Sequence, residues 1–199
     1  VNVSDAIKHR RSISLFDPDY KISDAQVHEL IEAANLTPSA FNIQHWRFVQ
    51  LHDPAVLGEA SEATWFQPQV TAASLVLVVC MDLKAWQKSP ERYWANAPQN
   101  VADHMLRNIR QAYADNPQLE RDEAMRSASM AAMTLMLKGQ EMGLESCAMA
   151  CDEQRMAKLV KLPTDHAISM VLAFGKPLKE AYPRPGLLAV EDVLVTDSF

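Results

Sequence analysis

The amino-acid sequence predicts an α+β fold in which one central sheet, mixed or antiparallel, is flanked by helices. Three observations carry that expectation. Ser74 to Cys80 is a continuous apolar and β-branched run, the pattern of a strand covered on both faces. Glu123 to Met142 repeats apolar residues at the helical period and is followed by shorter strand-like and helical stretches. No internal repeat, low-complexity tract or Gly/Ser-rich linker separates these segments, so residues 1–199 are expected to form one domain.

Taken in order, Ser4 to His9 reads as a short helix, and Ser23-Asp24-Ala25-Gln26 is a capping-box pattern that opens a second. Val27, Leu30, Ile31 and Ala34 then recur on one helical face, until Thr37-Pro38 stops the helix because a residue before proline avoids the α region. Pro38 to His45 is turn-rich, and Trp46 to Leu51 alternates like a strand. Pro98 to Ala114 and Glu123 to Met142 read as the two longer helices. The second presents Ala128, Ala131, Ala132, Leu135, Met136, Gly139 and Met142, a broad face of small or flexible residues suited to close packing within a core or across an isologous interface. Gly143 ends it, Ser146 to Ala150 is a short strand, Asp152 caps a helix to Val160, and Ala167 to Phe174 is a last core strand. Lys176 to Phe199 is expected to be an arm or an edge strand.

Composition narrows the function. A chain of 199 residues with 48% hydrophobic content can bury a full core. Its 19 basic against 25 acidic residues give a net charge of -6, which argues against a protein that tracks nucleic-acid phosphates. Apolar runs such as Ala72 to Met81 are too short to cross a bilayer, and Val-Asn-Val-Ser at the start lacks the apolar core of a secretory signal. A cytoplasmic protein without membrane or nucleic-acid partners is expected. The three cysteines, Cys80, Cys147 and Cys151, are odd in number and lack zinc-ligand spacing, so buried thiols are expected. His28 and His104 have no partner at ligand spacing either, and no metal site is expected.

Two stretches bear chemistry. His9-Arg10-Arg11-Ser12-Ile13-Ser14-Leu15-Phe16 sets two guanidinium groups and two hydroxyls just past a short helix, a group able to fork onto phosphate or carbonyl oxygens. Alone, it reads first as arginines complementing a helix C-terminus in water, the commoner case. Pro38-Ser39-Ala40-Phe41-Asn42-Ile43-Gln44-His45-Trp46 joins small residues, amides and an aromatic ring, which suits a wall against a planar ligand or simply a turn before a strand. Trp86 to Trp94, with Tyr93, is either a cover for a site or an aromatic packing cluster.

Together, with a capped helix between them, these two stretches resemble the opening pattern of the nitroreductase family, with His45 where that family usually has proline. The resemblance continues through Gln67-Pro68-Gln69-Val70, Gly143-Leu144-Glu145-Ser146-Cys147, Leu162-Pro163 and Phe174-Gly175-Lys176-Pro177, nearly the whole chain. It implies an intertwined homodimer with tightly but non-covalently bound FMN, NADH or NADPH as co-substrate, and a small electron-poor acceptor of nitroaromatic or quinone type. By the same resemblance Arg10, Arg11, Ser12 and Ser14 hold the cofactor's pyrimidine edge, ribityl chain and phosphate. Pro38, Ser39 and Ala40 pack on it from the partner subunit, with Asn42 nearby, and Gln69 reaches the pyrimidine, with Gln67 as the other register. Backbone at Ala150 and Cys151 approaches the ring's N5, although the family's glycine is replaced by Cys151. Of a usual C-terminal basic pair only Arg184 matches, since Gly186 stands at the second place; either phosphate binding is weaker or Lys179 or Lys176 substitutes. No side chain is expected to be catalytic, because the flavin performs the chemistry. Two other readings remain open at this point: an FMN carrier or sensor without turnover, and a cofactor-free helical interaction domain.

Overall fold

The computed structural model describes residues 2–199. Its elements in chain order are α1 (Val3–His9), α2 (Asp24–Asn35), a 3-10 turn (Ala40–Asn42), β1 (Trp46–Leu51), α3 (Pro54–Ala63), α4 (Pro68–Ala72) and β2 (Leu75–Asp82). Two further 3-10 turns (Ala85–Gln87 and Pro90–Trp94) lead to α5 (Gln99–Tyr113), α6 (Pro117–Glu141), β3 (Glu145–Met149), α7 (Glu153–Leu159), β4 (His166–Gly175) and α8 (Val190–Val193). The strands lie in the order β1-β2-β4-β3, and all three pairings are antiparallel.

Strand β2 is buried at every position. Alternate side chains point to opposite faces of a strand, and here both faces are covered. Leu75, Leu77, Val79 and Met81 join Ala128, Ala131, Ala132 and Leu135 of α6 and Val27 and Leu30 of α2 in one core. Val76, Val78 and Cys80 join Ala60 and Ala63 of α3, Val70 of α4 and Met156 of α7 in another. The small-residue face of α6 is thus used inside the chain. A Cβ on Gly139 would stand 3.2 Å from the Phe174 ring of β4, so a glycine there lets helix and sheet approach closely.

The capping box of α2 forms as the sequence predicts, with the Ser23 side chain accepting from the Gln26 N–H. One expectation needs correction, and three points left open are settled or added. Helix α6 begins at Pro117, six residues before Glu123, because Asn116 caps it and Pro117 fits the first helical position. Helices α3 and α4 fill the interval between β1 and β2, each opened by a proline. Residues 176–199 form no edge strand; they run as largely exposed coil with one short helix, and it is Ser12 that bridges to β3. Trp86 and Tyr93 are packing residues in a third cluster with Ile43, Ile109 and Tyr113.

Candidate functional site

Past α1 the chain runs beside β3. Ser12 forms a parallel bridge with Ser146, and the Ile13 N–H donates to the Ser146 carbonyl at 3.1 Å. This pairing brings Arg10 and Arg11, both half-buried, to Glu145 and Cys147. Burial raises the Glu145 pKa, while Gln140 and the two arginines pull it down. Gln69, buried on α4, approaches the same place from the other side, and its Nε2 donates to Cys147 Sγ at 3.7 Å. Gln69 Oε1, Ser146 Oγ and Glu145 Oε2 are buried without a partner among the described residues. Orphaned buried acceptors are costly; those of Gln69 and Glu145 lie on the side of β3 that Arg10 approaches, whereas Ser146, one residue on, faces the other side of the sheet with Phe174. Residue types and motif pointed to Arg10, Arg11, Ser12 and Gln69. They gave Glu145 and Ser146 no role, although both lie in a matched segment.

A cavity of about 190 Å³ adjoins this place, lined by Ser12, Ile13, Ser14, Leu15 and the arm residues Lys179 to Tyr182. Arg184 folds back onto α1, donating through one nitrogen to the carbonyls of Ile7 at 3.1 Å and Arg10 at 3.0 Å. Lys176 is directed away: its ammonium donates to the Gly143 carbonyl and lies 5.5 Å from the centre of the Tyr20 ring. Of the two lysines, Lys179 is therefore the one at the cavity. At the far end of β3, Ala150 is exposed and Cys151 half-buried. Burial, helped by Glu153 and Asp152, pushes the Cys151 thiol up to about 11, which leaves it protonated and a poor nucleophile near neutral pH.

Pro38, Ser39, Ala40 and Asn42 occupy a different surface. Pro38 lines a cavity of about 410 Å³ with Leu36 and Thr37, with Val3 and Ala6 of α1, and with Thr134 and Leu137 of α6. Ser39 Oγ accepts from the Gln44 N–H at 3.0 Å, and Asn42 Nδ2 donates to the Tyr93 carbonyl at 2.8 Å. The Asn42 amide thus ties its turn to the aromatic cluster. None of these hydrogen bonds or cavities joins the turn to Arg10 and Ser12.

A separate polar cluster lies at the other end of the sheet. Asp82, Asp165 and His166 offer ligand atoms within 4.8 Å of one another, and the ammonium of Lys88 pairs with both aspartates. Lys88 Nζ stands 2.9 Å from Asp82 and 2.7 Å from Asp165.

A family model described as Nitroreductase family matches residues 7–176. Protein DrgA of Synechocystis is 46% identical over 178 residues, covering 89% of this chain and 85% of the relative. A Thermus thermophilus protein named NADH dehydrogenase is 32% identical, covering 87% of this chain and 86% of its own. Among solved structures, one from Exiguobacterium sibiricum in complex with FMN superposes with a TM-score of 0.90 at 26% identity, over 98% of this chain and 97% of the other.

Proposed function

The chain belongs to the nitroreductase family and is an FMN-dependent NAD(P)H oxidoreductase, and from that premise we propose which residues serve the reaction and what receives the electrons. The acceptor is small and electron-poor, of nitroaromatic or quinone type, and donor and acceptor use one site in turn. Bound FMN supplies the redox chemistry, taking up two electrons from the reduced nicotinamide and releasing them to the acceptor.

The observation that carries the site assignment is the meeting of Arg10, Arg11 and Ser12 with the buried, half-satisfied amide of Gln69 beside β3. This group fits FMN. Gln69 Oε1 is an acceptor for an N–H of the pyrimidine, and Arg10 places positive charge where electron uptake makes that edge more negative. Ser12 and Ser14 offer hydroxyls to the ribityl chain. Lys179 and Arg184 bring the positive charge that the phosphate requires, with Lys179 standing for the missing second member of the basic pair. Backbone at Ala150 and Cys151 meets the N5 side of the ring.

Pro38, Ser39 and Ala40 come from the partner subunit, with Asn42 holding their turn in place. Two features support this homodimer: the separation of that turn from Arg10, and exposed apolar side chains, Val3 and Leu36 lining the larger cavity and Ile7, Met130 and Met133 elsewhere on α1 and α6. No helix among the described residues is long and apolar enough to cross a membrane. A cytoplasmic site of action, one domain over residues 1–199 with an arm from about 176, and no nucleic-acid partner complete the reading.

The test is the visible spectrum of the purified protein before and after NADH or NADPH is added without oxygen. Flavin bands that bleach promptly are expected. Bands that persist would mean an FMN carrier without turnover, and a colourless protein unable to take up FMN would overturn the site as well.

A further inference from the structure

The turn joining α3 to α4 holds two residues that cofactor binding leaves unexplained. Trp65 and Phe66 are 61% and 73% exposed, so neither contributes much to a core. Both have left-handed backbone, with φ of 55° and 60°, a conformation that favours glycine or asparagine and that large side chains adopt at a cost. Surrounding hydrogen bonds impose it. The Thr64 hydroxyl donates to the Ala60 carbonyl at 2.9 Å, the Trp65 N–H donates to Glu62 at 3.1 Å, and the Phe66 N–H donates to Ser61 at 2.7 Å. Strained residues that add little to packing point to a role at the surface they face.

Both sides of this turn are fixed to the flavin site. Gln69, assigned to the pyrimidine edge, follows Phe66 by three residues on the helix that the turn opens. The Ala63 carbonyl accepts from the Asp152 N–H at 2.8 Å, which pins the turn to the chain just after Ala150 and Cys151. The aromatic pair therefore stands between the segments assigned to the pyrimidine edge and to the N5 side of the ring.

We propose that Trp65 and Phe66 form an aromatic wall at the mouth of the flavin site that selects the electron acceptor by stacking on flat, electron-poor rings. The inference rests on the FMN-site assignment above. The electron-rich face of an indole is attracted to an electron-deficient ring, and a tryptophan on a hydrogen-bonded turn has little conformational freedom left to lose on contact. Acceptors without a flat ring gain nothing from such a wall.

The test uses the FMN-loaded enzyme with saturating NADH and two acceptors, 2-methyl-1,4-naphthoquinone and ferricyanide. In the double variant Trp65→Ala/Phe66→Ala, kcat/KM for the quinone should fall roughly tenfold relative to that for ferricyanide, mainly through KM. Trp65→Phe should keep most of the quinone preference. An unchanged quinone-to-ferricyanide ratio overturns the proposal, as does conversion of a dimer to monomers by the double variant, which would make the pair a subunit contact. Should the double variant fail to fold, titration of the oxidised wild type and Trp65→Phe with 4-nitrobenzoate decides: quenching of tryptophan fluorescence should be much weaker in the variant, and equal quenching overturns the wall. A wild-type flavin that NADH and NADPH do not bleach refutes the oxidoreductase reading itself and the acceptor wall with it, a result distinct from an unchanged ratio in an active enzyme.

Discussion

Replacing His45 with phenylalanine should make the protein less sensitive to acid. His45 is fully buried, neither ring nitrogen has a partner among the described residues, and the ring meets Tyr113 edge-on with centroids 6.4 Å apart. Burial holds its pKa at about 4, against an ordinary 6.5; Asp82 opposes that shift and Arg47 adds to it, each by less. Below pH 6.5 the unfolded chain takes up a proton on His45 that the folded protein refuses. The depressed pKa thus costs nothing at pH 7.5, and stability is lost progressively as pH falls from 6.5 towards 4, where the loss levels off. At 1.36 kcal/mol per pKa unit the full loss is roughly 3 kcal/mol, of which about 2.5 kcal/mol is incurred by pH 4.5. The assay is urea unfolding at pH 7.5 and pH 4.5, with FMN and protein concentrations fixed because binding and assembly shift apparent stability. With an m-value of about 2 kcal/mol/M, the midpoint of the wild type should move down by roughly 1 M more than that of His45→Phe. Phenylalanine preserves the ring shape, so any packing change is present at both pH values and cancels. Equal midpoint shifts in the two proteins would refute the reasoning and show that His45 is hydrated or protonated in the folded state.

Two further outcomes test the cofactor site. Arg10→Ala should weaken FMN binding by about 1.5 to 3 kcal/mol, on the order of tenfold to a hundredfold, when apoprotein is titrated with FMN. Arg121→Ala should change little, since Arg121 is 45% exposed and only 3.9 Å from Glu153 in a surface pair; equal losses would remove the site assignment. If each site is built from two chains, mixing Arg10→Ala with Ala40→Trp subunits should restore NAD(P)H oxidation that neither parent shows, because the mixed dimer holds one intact site. No recovery on mixing dimers would refute the shared site.

The sequence by itself determined the sheet and the main helices, because each has a signal carried by near neighbours. The unbroken apolar run of β2 required cover on both faces, and α6 on one side with α3, α4 and α7 on the other provides it. The Ser23 cap of α2 and the Asp152 cap of α7 are settled within three residues of chain. The start of α6 was obscured by the charged run Glu120-Arg121-Asp122-Glu123, which hides the helical period, although Asn116-Pro117 carried a cap signal. Other features depend on contacts between distant residues and have no local signature. Only the tertiary structure decided that Ser12 pairs with Ser146, that Gln69 meets Cys147, and that Lys176 turns to Gly143 while Lys179 stays at the cavity. The same is true of His45, whose isolation is set by the packing of Tyr113 and its neighbours, and of Trp65 and Phe66, whose left-handed backbone is imposed where residues that usually avoid it stand. Local preferences act over three or four residues, whereas burial, strain and unsatisfied hydrogen bonds arise only when separate segments compete for the same space.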